Sequence, residues 1–316
     1  MSGPSNKQDF HPCQDKVTFT ITQRVHEVEE NIPYTVMSLI VQSKPDSVVR
    51  LFDTNKTSYA SWTNHVVTSD VVRAKNWKSQ IGRIRDQGQH ETCWAIVGAE
   101  LISSLRYIFK YDVNYTNYSA QYLVDFVDMA KGRKRFRETT KHYCFRHRIA
   151  KGLKFVKDAG GIPLESHWQY IGCRSAGPPN YKPPEFPHVQ IESVVEISSV
   201  HEALPYLEFH PIGASLAVFR PDYYIIKEGT YRGPLYQESK YEGYHAVSIY
   251  GVSEENGETV AFIKSSHGEK VGNKGYLRVS LDVVMIEVPR NGDTADKTFT
   301  EPRRLLSRFC FPKLAP

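Results

Sequence analysis

The chain has few cysteines: five in 316 residues, at positions 13, 93, 144, 173 and 310, an odd number with no Cys-x-x-Cys spacing. That excludes a disulfide-built scaffold and any zinc ribbon, and it sets the expectation of a reducing compartment. No run of eighteen apolar residues occurs, so no spanning helix is expected and no membrane partner. The first ten residues lack the apolar stretch of a secretory signal, which points to a cytoplasmic or nuclear location. Internal repeats and low-complexity segments are also missing. Aromatic residues are plentiful: 19 Tyr and 15 Phe in a chain that is 40% apolar. Such a chain can bury a sizeable core, so wholesale disorder is excluded. Its length is about twice that of a typical domain, enough for one large or two lobed units.

The net charge of +5 is unevenly placed. Between Lys131 and Arg148 stand eight Lys or Arg and one acid, Glu138, a local +7 that leaves about −2 for the remainder. An acidic partner, nucleic acid or nuclear import would each suit such a run. A plain solvated loop suits it better, because no nucleic-acid fold signature accompanies it. Nucleic-acid binding therefore ranks last among the functions considered.

Three short extended segments, 17–22, 34–41 and 48–52, separated by Asn and Pro breaks, make the first 72 residues a β-rich accessory segment. Beyond Cys93 the residues Ile96, Val97, Leu101, Leu105 and Ile108 recur at helical spacing. A second helix is expected over 150–159, stopped by Gly160, Gly161 and Pro163. A Pro-rich link at 178–187 then leads to strand candidates at 214–219, 245–252, 259–265 and 276–281. A helical half followed by a β half reads as α+β, with lobes at about 73–190 and 191–290. Residues 291–316, charged and flanked by Pro, read as a C-terminal extension.

The informative segment is Gln87-Gly-Gln-His-Glu-Thr-Cys93-Trp94. A cysteine at the first turn of an amphipathic helix meets the positive end of the helix dipole, which favours a thiolate. Thr92 is placed to cap that helix. Gln87 can reach back as a side-chain donor and, with the Cys93 N–H, form a pocket for an oxyanion. The segment Tyr244-His245-Ala-Val puts a histidine at the start of an apolar strand, where it can serve as base. Each feature alone has a structural explanation, as a small core thiol or a strand histidine.

Taken together, these segments resemble the papain-like cysteine peptidases. The family's Gln-Gly-x-Cys-Gly-Ser-Cys-Trp is matched from Gln87 to Trp94 with the Gln-to-Cys spacing intact. Asn76-Trp77 resembles its Asp-Trp, Tyr118-Ser-Ala-Gln its Leu-Ser-Glu-Gln, and Gly160-Gly-Ile its Gly-Gly-Ile. His245-Ala-Val resembles the His-Ala-Val that carries the base, and Ile263-Lys-Ser-Ser-His-Gly268 resembles Ile-Lys-Asn-Ser-Trp-Gly. The match runs in order over residues 76–282. It implies a two-lobed fold with Cys93 on the helical lobe, His245 on the β lobe and a peptide cleft between them. It further implies acyl transfer through Cys93 to a peptide or protein substrate, needing no metal and no organic cofactor.

The departures shape the expectations. Ser265 stands where the family has the Asn that orients the imidazole; its hydroxyl accepts the same bond with shorter reach. His267 replaces the Trp that shields it, and Glu91 replaces a Gly on the substrate side. Trp94, Tyr244, Glu91 and His267 are candidate substrate contacts. Family half-cystines fall at His90, Phe126 and Leu235, so Cys144 and Cys173 lack their usual partners and are expected as free thiols, a bridge between them being the less favoured alternative. The expected function is thus a cysteine endopeptidase, slowed or altered by Ser265. The alternative is a papain-fold module that binds protein without chemistry.

Overall fold

The computed structural model describes residues 18–19, 49–53, 58–66, 74–288 and 299–315. The segment at 34–41 and Cys13 lie outside the described residues.

Helix α1, Cys93–Ile108, is buried on all sides from Trp94 to Leu105, as befits a helix with apolar residues around its circumference. Helices α2 (Ala120–Phe126) and α3 (Met129–Arg135) follow. In α4, Ile149–Asp158, the buried Ile149, Leu153 and Val156 form one stripe, and Lys151, Lys154 and Lys157 face outward. Two left-handed glycines, Gly160 and Gly161, end α4, and the Gly161 N–H closes it on the Val156 carbonyl at 2.8 Å. A Cβ on Gly152 would lie 3.1 Å from the Trp94 ring, so this glycine lets α4 pack closely on α1. These helices enclose a core containing Trp94, Leu101, Tyr122, Leu123 and Leu153.

After the short antiparallel pair β4 (Ile162–Pro163) and β5 (His188–Val189), the chain builds a seven-stranded sheet. Its members are β6 (Ile191–Ile197), β7 (Ile212–Arg220), β8 (Thr230–Tyr231), β9 (Lys240–Glu255), β10 (Glu258–Lys264), β11 (Tyr276–Ser280) and β14 (Leu306–Leu314), in the order β6-β14-β7-β9-β10-β11-β8. Strand β9 lies between the lobes. Ala246 faces the helical core and its neighbours Val247 and Ile249 the β core, because successive strand residues point to opposite faces. Residues 85–87 bond to 266–268 through Gln87 N–H to Ser266 O (2.8 Å) and Gly268 N–H to Arg85 O (3.1 Å). This backbone contact holds the loop before α1 against the end of β10.

One boundary is corrected. Residues expected as a C-terminal extension instead supply β14, inserted between β6 and β7. Its buried Leu306, Phe309, Cys310 and Phe311 outweigh the charges that mark the segment in sequence. Arg308, at φ 54°, sits in a bulge, and Pro312 lies beyond the last residue that pairs with β7, opposite Val194 of β6. At the other end, β3 (Ser58–Thr63) pairs with β12 (Val283–Val288) in a second sheet, with β1 (Thr18–Phe19), β2 (Val49–Asp53) and β13 (Arg303–Arg304). Tyr59 of β3 meets Phe219 and Phe299 edge-on at 5.4 and 5.8 Å, which packs this sheet on the β lobe.

A buried ion pair ties the lobes together. Lys264, 2% exposed at the end of β10, donates to Glu100 of α1 at 2.8 Å and to the Ile81 carbonyl at 2.8 Å. Removing one partner strands a buried charge, at a cost of about 3–5 kcal/mol, whereas replacing both with apolar groups is often neutral. Denaturant unfolding should therefore find Lys264→Met destabilised by about that amount and Lys264→Met/Glu100→Leu largely restored.

Candidate active site

Cys93 opens α1 and is half-buried. Thr92 occupies the N-cap position without capping: its hydroxyl bonds instead to Tyr170 Oη at 2.6 Å. The first N–H groups of the helix are thereby left to the sulfur, which is served by the N–H groups of Trp94 and Cys93 and by that of Ala246 across the cleft. Burial nevertheless dominates and pushes the Cys93 thiol upward, against these N–H groups and the nearby Arg146 charge.

His245 comes from β9, beside Leu216 of β7. It is 4% exposed, and its Nε2 lies 3.1 Å from Ser265 Oγ, just past the end of β10. Ser265 Oγ also meets Tyr223 Oη at 2.6 Å and accepts from the His267 N–H at 3.2 Å, while Tyr223 Oη lies 3.1 Å from His267 Nδ1. The His267 ring stacks on that of His245 at 3.9 Å, nearly parallel. Two like rings packed away from water disfavour charge on either. Burial, and then His267, hold His245 well below the ordinary histidine range, and burial brings His267 down to about 4.

Two proton orders satisfy these contacts. In one, His245 Nε2–H donates to Ser265, Ser265 O–H to Tyr223, and Tyr223 O–H to His267 Nδ1, which leaves the lone pair on His245 Nδ1 free to act as a base; the other reverses every donor and puts the proton on His245 Nδ1.

Gln87 is buried, its amide fixed at both ends: Nε2 donates to the His90 carbonyl at 2.6 Å and Oε1 accepts from Ser266 Oγ at 2.8 Å. The second Nε2–H remains for a ligand. Cys93, Gln87, Glu91, Tyr244, His245 and His267 all line one cleft of about 820 Å³.

A family model described as papain family cysteine protease matches residues 68–291. The chain belongs to the papain family of cysteine proteases. Protein HEAT-INDUCED TAS1 TARGET 4 of Arabidopsis thaliana is 31% identical over 250 residues, covering 70% of this chain and 86% of that protein. Cathepsin J of Mus musculus is 25% identical over 219 residues, covering 66% of this chain and 60% of that protein. Among solved structures, the Carica candamarcensis cysteine protease CMS1MS2 in complex with E-64 aligns at a TM-score of 0.52 and 18% identity, covering 77% of this chain and 99% of that one. The proform of the ragweed pollen protease Amb a 11 aligns at 0.53 and 18% identity, covering 76% of this chain and 64% of that one. The α+β papain-like fold follows from these likenesses.

Within this papain-family cleft the remaining candidates take different places. Trp94 lies in the helical core, 2% exposed, its indole donating to the Glu91 and Phe145 carbonyls, so it meets no substrate directly. Glu91 is bound by Arg135 at 3.1 Å and Arg146 at 3.0 Å. Arg146 also donates to the Glu242 carbonyl at 2.9 Å, on the opposite lobe, and so straps the cleft. Tyr244 faces the cleft with its ring under the Arg308 guanidinium at 4.7 Å. The expectation of free thiols at Cys144 and Cys173 is corrected: the structure pairs them as a disulfide, because two loops far apart in sequence meet there. Sequence reading missed Tyr223. Tyr223 stands 42 residues before Ser265 in a short turn, Asp222–Ile225, and nothing in its spacing marks it.

Two measurements follow. Alkylation of Cys93 should rise only at or above the free-thiol value of about 8.5, with no acid limb, because thiol and imidazole are both held neutral. Fast alkylation persisting near pH ~4 would instead require a resting thiolate–imidazolium pair. His267 binds its proton more weakly folded than unfolded, so its contribution to stability is complete above pH ~6.5 and is lost as pH falls to about 4. Asp222, raised by burial to about 6, gains stability over the same window, so the readout is the difference between wild type and His267→Gln. That difference should change by up to about 3 kcal/mol between pH 7 and pH 4 in denaturant titrations.

Proposed function

We propose that this papain-family chain is a cysteine endopeptidase acting through Cys93, with His245 as a general base rather than as a preformed imidazolium. The observation carrying this reading is the oriented base: Ser265 holds His245 Nε2 at 3.1 Å, and the proton order that starts from His245 Nε2–H and runs through Ser265 and Tyr223 to His267 supports it by leaving Nδ1 unprotonated. In the reaction, Nδ1 takes the Cys93 proton as sulfur attacks the peptide carbonyl. The Cys93 N–H and the second Gln87 Nε2–H receive the oxyanion. His245 then protonates the leaving amine and activates the water that releases the acyl group. A neutral resting pair makes this slower than attack by a standing thiolate.

The charge around the cleft favours an acidic substrate. Arg146, Arg148 and Arg308 line a cavity of about 550 Å³ beside Cys93, so part of the basic run between Lys131 and Arg148 borders the site. The Arg146 strap rests on an exposed ion pair worth no more than about 1 kcal/mol, so an acidic peptide can displace Glu91 from it. The same strap and the same neutral pair also favour a second reading, a binding module that holds acidic segments without cleaving them.

A peptide library incubated with the full chain, with new termini mapped by mass spectrometry, separates the two. The expected result is cleavage abolished by Cys93→Ala, reduced by about 10²-fold in Ser265→Ala as for a misplaced reacting group, and enriched for acidic residues on the acyl side. Capture of acidic peptides with no new termini between pH 5 and pH 9 would leave the binding module.

A further inference from the structure

The loop that precedes α1 carries a second group of reactive side chains outside the cleft chemistry. His90 Nδ1 lies 3.8 Å from Cys144 Sγ, and His142 Nδ1 lies 3.7 Å from Cys173 Sγ. The donor atoms of His90, His142 and Cys173 all fall within 4.8 Å of one another, and the two imidazole rings are parallel. Two sulfurs and two imidazoles thus converge from three separate stretches of chain.

We propose that, with both thiols reduced, His90, His142, Cys144 and Cys173 form a tetrahedral zinc site that fastens the loop bearing Gln87 to the segment 142–144. In a tetrahedron with Zn–S of about 2.3 Å and Zn–N of about 2.0–2.1 Å, sulfur and nitrogen ligands stand about 3.6 Å apart. The two observed S···N distances lie within 0.2 Å of that value. Two imidazoles with two thiolates make an uncharged centre, suited to a half-buried place.

The surroundings are those of a metal thiolate. Cys173 Sγ accepts from the backbone N–H groups of Cys144 at 3.2 Å and Tyr143 at 3.4 Å, donors that stabilise a thiolate and orient it. Gly172, beside Cys173, is left-handed, and a Cβ there would strike the His90 ring at 2.2 Å, so its lack of a side chain makes the room for that imidazole. The disulfide and the zinc site are two states of the same residues. A thiol reductant opens the bridge, supplying two electrons and two protons; zinc then binds with release of two thiol protons, and the sulfurs separate to about 3.8 Å. The site does not depend on peptide hydrolysis. Its consequence for the cleft runs through His90, whose carbonyl holds Gln87 Nε2.

The test is made on the full chain, purified without an affinity histidine tag, with reductant and without chelator. Elemental analysis should give one zinc per chain, falling at least fivefold in His90→Ala and in Cys173→Ser. Replacement by Co2+ should give thiolate-to-cobalt charge-transfer bands and the visible bands of a tetrahedral centre. His142→Cys, which keeps a donor in place, should retain the metal and intensify the charge-transfer bands, and it guards against variants that merely misfold. The proposal is overturned if zinc persists in both deletion variants, or if the reduced wild-type chain binds neither zinc nor cobalt.

Discussion

The geometry of the cleft depends on the buried contact between Lys264 and Glu100. Glu100 lies seven residues into α1, two turns from Cys93 and on the same side of the helix; Lys264 immediately precedes Ser265. One ion pair therefore sets the nucleophile's helix against the strand end that orients the base, and the bond from Lys264 to the Ile81 carbonyl adds the chain leading to Gln87. Its value lies in registration. Two charges taken out of water repay little net stability, but each would be left without compensation if the lobes slid apart.

Around that anchor His245, Ser265 and Tyr223 are buried. His245, Ser265, Tyr223 and His267 satisfy one another within a few ångströms, and none needs a charge to do so. Stacking an imidazole where the family resemblance leads one to expect an indole has a double effect. It shields the Ser265 contact from water, and it makes a second positive charge beside His245 costly. Tyr223 compensates for the short reach of Ser265 by filling the remaining hydrogen-bond capacity of its hydroxyl. The helix dipole and three N–H groups act on the Cys93 sulfur, yet burial outweighs them.

The basic residues on the rim address the opposite problem, that of access. Arg146 is held by weak, exposed contacts on both lobes, so it covers the cleft without sealing it. Glu91, which in sequence reads as an intrusion on the substrate side, proves to be the partner that keeps Arg146 there. In the same loop, His90 lies 3.8 Å from Cys144 and its carbonyl holds the Gln87 amide, so the stretch from Gln87 to Cys93 is tied both to the cysteine–histidine cluster and to the cleft that it lines.

Features governed by neighbours along the chain were legible in the sequence. The helix beginning at Cys93, the glycine stop after α4, the strand opening near His245 and the order of the motifs all follow from spacing, propensity and turn chemistry. Strand β14 was hidden because its charges are near in sequence and its partners are not. Tyr223, the Arg146 strap, the Cys144–Cys173 pairing and the core position of Trp94 were hidden for the same reason: each joins residues from separate elements. The protonation of Cys93 and His245 belongs with them. Placing a cysteine at a helix start argues for a thiolate, and only the tertiary structure decides otherwise, because desolvation depends on everything packed around the sulfur.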